Sequence, residues 1–271
     1  MAERDQMKPE LFGLSTYFLM WGVAVVLGVW SGTRLAQRAG LPARESFLAV
    51  CAVAFVIFAG SKLLFLTEHV LFPDDDPMPI GQNSLWKIFW HGFRIPGGIL
   101  LLAAALPWIG RGFALPTRRF ADAIMPAVGV AVAFIRLGCF FNGCCFGGVT
   151  HFPLAVTFPP SARVYEWQMM QGLISGPMPR SLPVHPLQLY FAGIGVLMYV
   201  LGRRWQNTKH VDGEVWANTY LLFFGATFML ELLRPAPLHL NLILTSTVVA
   251  ATLIVRTRVR QATAAVAGAH P

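Results

Sequence analysis

The feature that most limits what this chain can fold into is a series of seven apolar runs. Each is close to the length a bilayer's hydrocarbon core demands, about 20 residues with a range of about 17–25. They lie near 11–30, 46–66, 93–110, 120–140, 185–202, 216–233 and 238–255. Unpaired backbone amides are too costly in lipid, so such runs must satisfy their own hydrogen bonds, and they are too long and continuous to be the alternating strands of a barrel. The expectation is an all-α membrane protein of about seven transmembrane helices. Composition agrees: 55% of the 271 residues are hydrophobic and only 13% are charged, against about 25% charged in a soluble domain. A net charge of +8 would also fit a nucleic-acid binder. Those proteins gather their basic residues on one face, whereas here Lys and Arg punctuate the apolar runs, so no nucleic-acid partner is expected.

Short loops rich in Lys and Arg stay in the cytoplasm. Alternate connections carry Arg34, Arg38 and Arg44; Arg111, Arg118 and Arg119; Arg203, Arg204 and Lys209; and Arg256, Arg258 and Arg260. The opposite side has Arg4, Lys8, Lys87, Arg163 and Arg180, spread over longer loops together with the acidic run Asp74, Asp75 and Asp76. Twelve against five places the N-terminus outside and the C-terminus in the cytoplasm of a bacterial inner membrane. The first run is longer than a signal-peptide core and lacks an obvious small-residue cleavage site, so it reads as the first helix. Residues 1–260 then form a single polytopic domain, and 261–271 a disordered cytoplasmic tail. Two outward loops, near 67–92 and 142–184, are long enough to make an extracytoplasmic head. The aromatic stretch VYEWQMM in the second reads either as an interfacial element on the outer leaflet or as an ordinary wet loop.

Charges within or at the ends of the runs are expensive and face a bundle interior or a water-filled cavity. They are Lys62, Arg94, Arg136, Glu231 and Arg234, all in or near the outer half by this topology. Three arginines converging with one glutamate leave positive charge, and a guanidinium fork matches phosphate oxygens. An anionic lipid phosphate is the natural guest. The alternative is that each arginine snorkels to the interface on its own.

The densest motif is RLGCFFNGCCFGG, residues 136–148. Gly138, Gly143, Gly147 and Gly148 permit positive φ and close backbone approach, as a re-entrant turn around a ligand would need, and Asn142 adds a donor and an acceptor. The same glycines also suit plain helix packing. Cys139, Cys144 and Cys145 have no second cysteine cluster to complete a four-ligand metal site, so no metal is expected. Their readings are small packing residues, a disulfide on an oxidising face, or a nucleophilic thiol beside Arg136. Cys51 stands alone in the second run and reads as core. HPLQLY, residues 185–190, opens the fifth run with His185, Gln188 and Tyr190 near the outer interface. The histidine reads as a base or phosphate partner, or as a mere cap. In HGFRIPGG, residues 91–98, Pro96 and the pair Gly97 and Gly98 break the start of the third run beside His91 and Arg94. Tyr17 on its own is an ordinary aromatic-belt residue.

Taken together, RLGCFFNGCCFGG, HPLQLY and ELLRPAP, with KIFWHGFRIPGG before them and STYFLMWG near the start, resemble the prolipoprotein diacylglyceryl transferase family. The likeness spans nearly the whole chain in the right order. It implies a seven-helix enzyme, open to the outer leaflet, that transfers diacylglyceryl from phosphatidylglycerol to the thiol of a lipobox cysteine in a prolipoprotein and releases glycerol phosphate, with no cofactor. By motif, Tyr17, Arg136, Asn142, Gly147, His185, Gln188, Tyr190, Glu231 and Arg234 fall on the family's functional or motif positions. The chain also departs from the pattern. Pro96 stands where the family has a histidine before the paired glycines, Cys139 where it has Asn, and Cys144 where it has Glu, which marks a divergent, cysteine-containing branch.

The mechanism expected of these residues has Arg136 and Arg234 clamp the phosphate and stabilise the leaving group. His185 or His91 would serve as base, and Glu231 would orient an arginine. Tyr17, Arg94, Gly97, Gly98, Asn142, Gly147, Gln188 and Tyr190 would line the substrate site. Two other readings remain: a related transferase with another acceptor, and a non-catalytic phospholipid-binding or transport protein, although no matched pair of broken helices marks a transporter's inverted repeats.

Overall fold

A computed structural model describes residues 10–11, 14–71, 92–176, 178–235, 245–250, 252–253 and 256–257. His91, the acidic run 74–76, residues 238–244 of the last apolar run and the tail 261–271 lie outside the described residues. Within them helices predominate, joined by turns and irregular segments, and the two strands form a two-residue antiparallel ladder, β1 (Glu10–Leu11) with β2 (Leu14–Ser15). The helices are α1 (Thr16–Arg38), α2 (Ala43–Leu71), α3 (Ile95–Gly112), α4 (Thr117–Asn142), α5 (Arg163–Met170), α6 (Leu187–Thr208) and α7 (Glu214–Glu231). Of these, α1, α3, α4 and the stretch Ala43–Glu68 of α2 are long and apolar enough to cross a membrane by length and composition. Residues 245–250 are again helical.

The apolar runs become helices with altered ends, and the reasons are local. The first helix starts at Thr16, not at residue 11, because Glu10–Leu11 pair with Leu14–Ser15 as a ladder. Pro96 sits in the first turn of α3 and initiates the helix, since its missing N–H would be unpaired there anyway. It does not kink it. α4 stops where Gly143 takes φ +63° and the amides of Gly143 and Cys144 return to the carbonyls of Phe140 and Cys139, the usual left-handed end for which glycine carries no Cβ penalty.

α4 is the central helix. Residues 120–129 are buried without interruption, as expected of a helix enclosed on all sides, and it packs against α1, α3, α6 and α7. Its crossing with α6 is set by two glycines. A Cβ on Gly129 would stand 2.5 Å from the Gly195 carbonyl oxygen, and one on Gly195 would stand 2.6 Å from that of Gly129. The α2–α3 crossing is similar: a Cβ on Gly97 would lie 2.5 Å from the Gly60 oxygen, and one on Gly98 would lie 2.3 Å from that of Ile57. Close backbone approach through small residues is how membrane helices gain contact area. The outward face is as apolar as the inside, with Phe55 71% and Val26 66% exposed, a surface that lipid covers more readily than water.

Residues 143–186 do not form an ordinary wet loop. Phe158, Ala162, Val164 and Val184 make a small separate core, with Phe140, Phe146 and Val156 packed against it. Val184 bridges both Val149 and Val156. The Tyr165 hydroxyl accepts from the Met178 amide and donates to the Met178 carbonyl, both at 2.9 Å. The Gln168 amide spans to Leu182, accepting its N–H at 2.8 Å.

Candidate functional site

Apart from Asp122 near the start of α4, the buried charges collect where α2 and α7 end, α3 begins and α4 nears its end. Glu68, near the C-terminal end of α2 and 4% exposed, accepts a very short hydrogen bond from Arg94 Nε at the start of α3. Glu231, 2% exposed at the end of α7, lies 2.8 Å from Arg234 Nε. The distance is that of an ion pair, but the Nε–H is not aimed along it, so we treat the contact as electrostatic. Both pairs belong to one cluster, because Glu68 is within electrostatic reach of Glu231 and Arg234. Lys62 donates to the Gly92 carbonyl at 3.3 Å and lies over the rings of Phe65 and Phe93.

Arg136 differs from the other arginines. It is 6% exposed, its guanidinium lies 4.2 Å from the centroid of Phe191, and its buried Nε has no hydrogen-bond partner. Among the described residues no carboxylate pairs with it. Sequence reasoning expected three arginines against one glutamate. The structure sets Lys62, Arg94, Arg136 and Arg234 against Glu68 and Glu231, and Arg136 is the arginine left without an ion pair. Glu68 was missed because the second apolar run was ended at residue 66, which left it in a loop. The available signal was its place two turns after Lys62 on a helix that continues.

The glycine turn after α4 gathers the remaining elements. Gly147 N–H donates to the His185 carbonyl at 2.9 Å, His185 N–H to the Gly148 carbonyl at 3.1 Å, and Gly148 N–H to the Leu233 carbonyl at 2.8 Å. The chain before α6 and the residue preceding Arg234 are thus laced onto one pair of glycines. A Cβ on Gly147 would meet the His185 Cβ at 2.7 Å and the Leu233 oxygen at 3.0 Å. Gln188 is fully buried and donates through Nε2 to the Cys144 carbonyl at 2.6 Å, while its Oε1 is unpaired. Asn142 reaches the Cys144 thiol. Tyr17 lies within electrostatic reach of all three cysteines of the turn, and Cys145 within that of Arg136 and Arg234.

Tyr17, Arg136, Asn142, Gly147, Gln188, Glu231 and Arg234 are therefore drawn to one place, joined by Arg94 through Glu68. Gly97 and Gly98 face α2, where both make close helix-packing contacts. His185 is joined to the turn by its backbone, but its ring contacts Tyr190, with Nδ1 3.5 Å from the hydroxyl, and Phe152. Nearer the bundle's middle, an apolar cavity of about 100 Å³ runs between α1, α2, α3 and α4, from Ser61 and Ile95 to Gly32 and Val50.

The fold and site together define a multi-pass helical membrane protein with a buried, cation-rich centre at one end of its bundle. A family model for prolipoprotein diacylglyceryl transferase matches residues 8–260, and the chain belongs to that family. It is 27% identical over 233 residues to the phosphatidylglycerol–prolipoprotein diacylglyceryl transferase of Deinococcus radiodurans, covering 79% of this chain and 68% of that protein. To the Clostridium tetani protein of the same name it is 25% identical over 238 residues, covering 85% and 87%. To that of Aeromonas hydrophila it is 28% identical over 251 residues, covering 88% and 82%.

Proposed function

We propose that this protein transfers a diacylglyceryl group from phosphatidylglycerol to the cysteine thiol of a prolipoprotein. The acceptor sulfur attacks the glycerol carbon, a carbon–sulfur bond forms, the carbon–oxygen bond to phosphate breaks, and glycerol phosphate leaves with the electron pair. The thiol proton passes to a base, for which His185 and His91 are the candidates. The observation that carries the reading is Arg136, a buried guanidinium whose Nε is unpaired and which, among the described residues, has no carboxylate partner. A buried cation is stable only when an anion or hydrogen bonds compensate it, and a phosphate diester supplies both. Arg234, paired with Glu231, adds a second positive group within electrostatic reach of the same Cys145. The charge that develops on the leaving phosphate is what such preorganised donors stabilise, the largest usual contribution to catalysis. Tyr17, Asn142, Gln188 and Tyr190 line the head-group side.

Seven crossings, an N-terminus outside, a cytoplasmic C-terminus and residues 143–186 as an extracytoplasmic head belong to the same proposal. They rest on the twelve-to-five split of basic residues. In this orientation the cationic centre opens toward the outer leaflet, where translocated prolipoproteins present their cysteine. The test is to incubate the purified protein with phosphatidylglycerol and a lipobox peptide and to search by mass spectrometry for the diacylglyceryl thioether. Adduct formation, lost on Arg136→Gln, is the expected result. Phosphatidylglycerol consumed without peptide adduct would point to another acceptor, and lipid bound without turnover to a binding protein.

A further inference from the structure

Three cysteines remain outside this chemistry. Cys139 is buried in the last turn of α4, and Cys144 and Cys145 are half-buried in the turn beyond it. Neighbouring residues of an extended chain point to opposite sides, so an adjacent pair does not ordinarily aim two thiols at one point. Here it does. Cys145 adopts φ +60°, one of only two positive-φ residues other than glycine among those described. Such a conformation disfavours any residue with a Cβ and persists where the surroundings impose it. Gln188 imposes it in part, through its bond to the Cys144 carbonyl. As a result the three sulfurs lie within 4.8 Å of one another and are not bonded to each other.

We propose that Cys139, Cys144 and Cys145 form a three-thiolate site for a copper(I) ion. A metal about 2.3 Å from each of three sulfurs requires them about 4 Å apart in a plane, which the present triangle reaches with a small inward movement. Sulfur ligands select soft ions. Tetrahedral zinc requires a fourth ligand, but copper(I) is satisfied by three. Binding releases the three thiol protons to solvent and involves no change of oxidation state. The complex then carries two net negative charges, and Arg136 and Arg234, both within electrostatic reach of Cys145, supply two positive ones. The inference does not depend on the transferase reading, because it needs only the thiols and the two cations.

The full-length protein, purified in detergent and kept reduced, is titrated with copper(I) in competition with a chromophoric copper(I) chelator. One equivalent should bind, with X-ray absorption showing three sulfur neighbours. Cys139→Ser, Cys144→Ser and Cys145→Ser should each weaken binding at least about a hundredfold, the upper end of what the loss of a mere supporting group costs. Cys51→Ser, on α2, should leave it unchanged. Alkylation of the unmutated protein provides a readout that does not depend on variants folding: copper should protect all three cysteines and not Cys51, as read by peptide mass spectrometry. Copper bound equally well by the triple Ser variant, tighter binding of zinc(II) than of copper(I), or a hydrogen-pair mass loss with no metal uptake would each overturn the site.

Discussion

At the scale of single residues, the difference between a paired and an unpaired guanidinium organises the site. Among the described residues Arg94 and Arg234 each have a glutamate, whereas Arg136 lies against the face of Phe191 and near Cys145, with no carboxylate paired to it. Arg136→Gln should lower kcat by about 10²–10³, the usual loss for a transition-state donor, while the detergent-solubilised protein keeps its melting temperature. Arg136→Lys should recover little, since an ammonium lacks the planar fork; steady-state kinetics on the lipobox peptide decides both. Gly147→Ala makes a different demand. Its new Cβ would sit 2.7 Å from that of His185, so a packing cost of about 1–3 kcal/mol is expected, seen as a lower melting temperature together with a raised KM for phosphatidylglycerol. The sequence named Arg136 and Gly147 as site residues, because an arginine followed by glycines within an apolar run is rare. It did not distinguish which arginine lacked an ion pair, because Glu68 is 26 residues from Arg94 in the chain and only the packing of α2 on α3 joins them.

Single elements are fixed by contacts that are local in space and remote in sequence. The start of α7 is capped by Asp122 of α4: one carboxylate oxygen accepts the Gly213 amide and the other the Trp216 amide, both at 2.9 Å, and Lys209 pairs with it at 3.0 Å. Asp122→Ala removes a cap worth about 1–2 kcal/mol and strips Lys209 of a partner, so the melting temperature should fall by several degrees. Burial works against the Lys209 ammonium, but its hydrogen bonds to Asp212 and Asp122 outweigh that and hold its pKa above the ordinary lysine value. A raised pKa contributes stability that is full below the unfolded lysine's value and lost as pH rises through the folded one. The melting temperature should therefore be flat through neutral pH and drop faster in alkali than that of Lys209→Met. The α4–α6 crossing depends on Gly129 and Gly195 in the same way, and Gly195→Val should prevent assembly, read as loss of monodisperse protein on gel filtration. Basic residues such as Lys209 were legible as loop markers. Their structural partners were not, because capping from another helix leaves no spacing pattern.

For the whole molecule, the proposed orientation makes a prediction of its own. Reporter fusions after Gly172 should be active only when the reporter folds outside the cytoplasm, and fusions after Arg119 only when it folds inside; the reverse pattern would place the cationic centre on the wrong face for prolipoprotein. Sequence alone determined that the chain is helical and lies in a membrane, because apolar length and the cost of unpaired amides in lipid leave few alternatives. It also marked the motifs where chemistry is to be expected, because charges are expensive at that depth and rarely stand there without a reason. The tertiary structure alone decided how those motifs meet. It set a second glutamate among the cations, turned Gly97 and Gly98 to packing, kept the His185 ring on Tyr190, and folded three thiols toward one point. These outcomes depend on helix ends and crossings, where a turn that continues or a glycine that lets two backbones touch brings distant residues together, and no one-dimensional pattern records that distance.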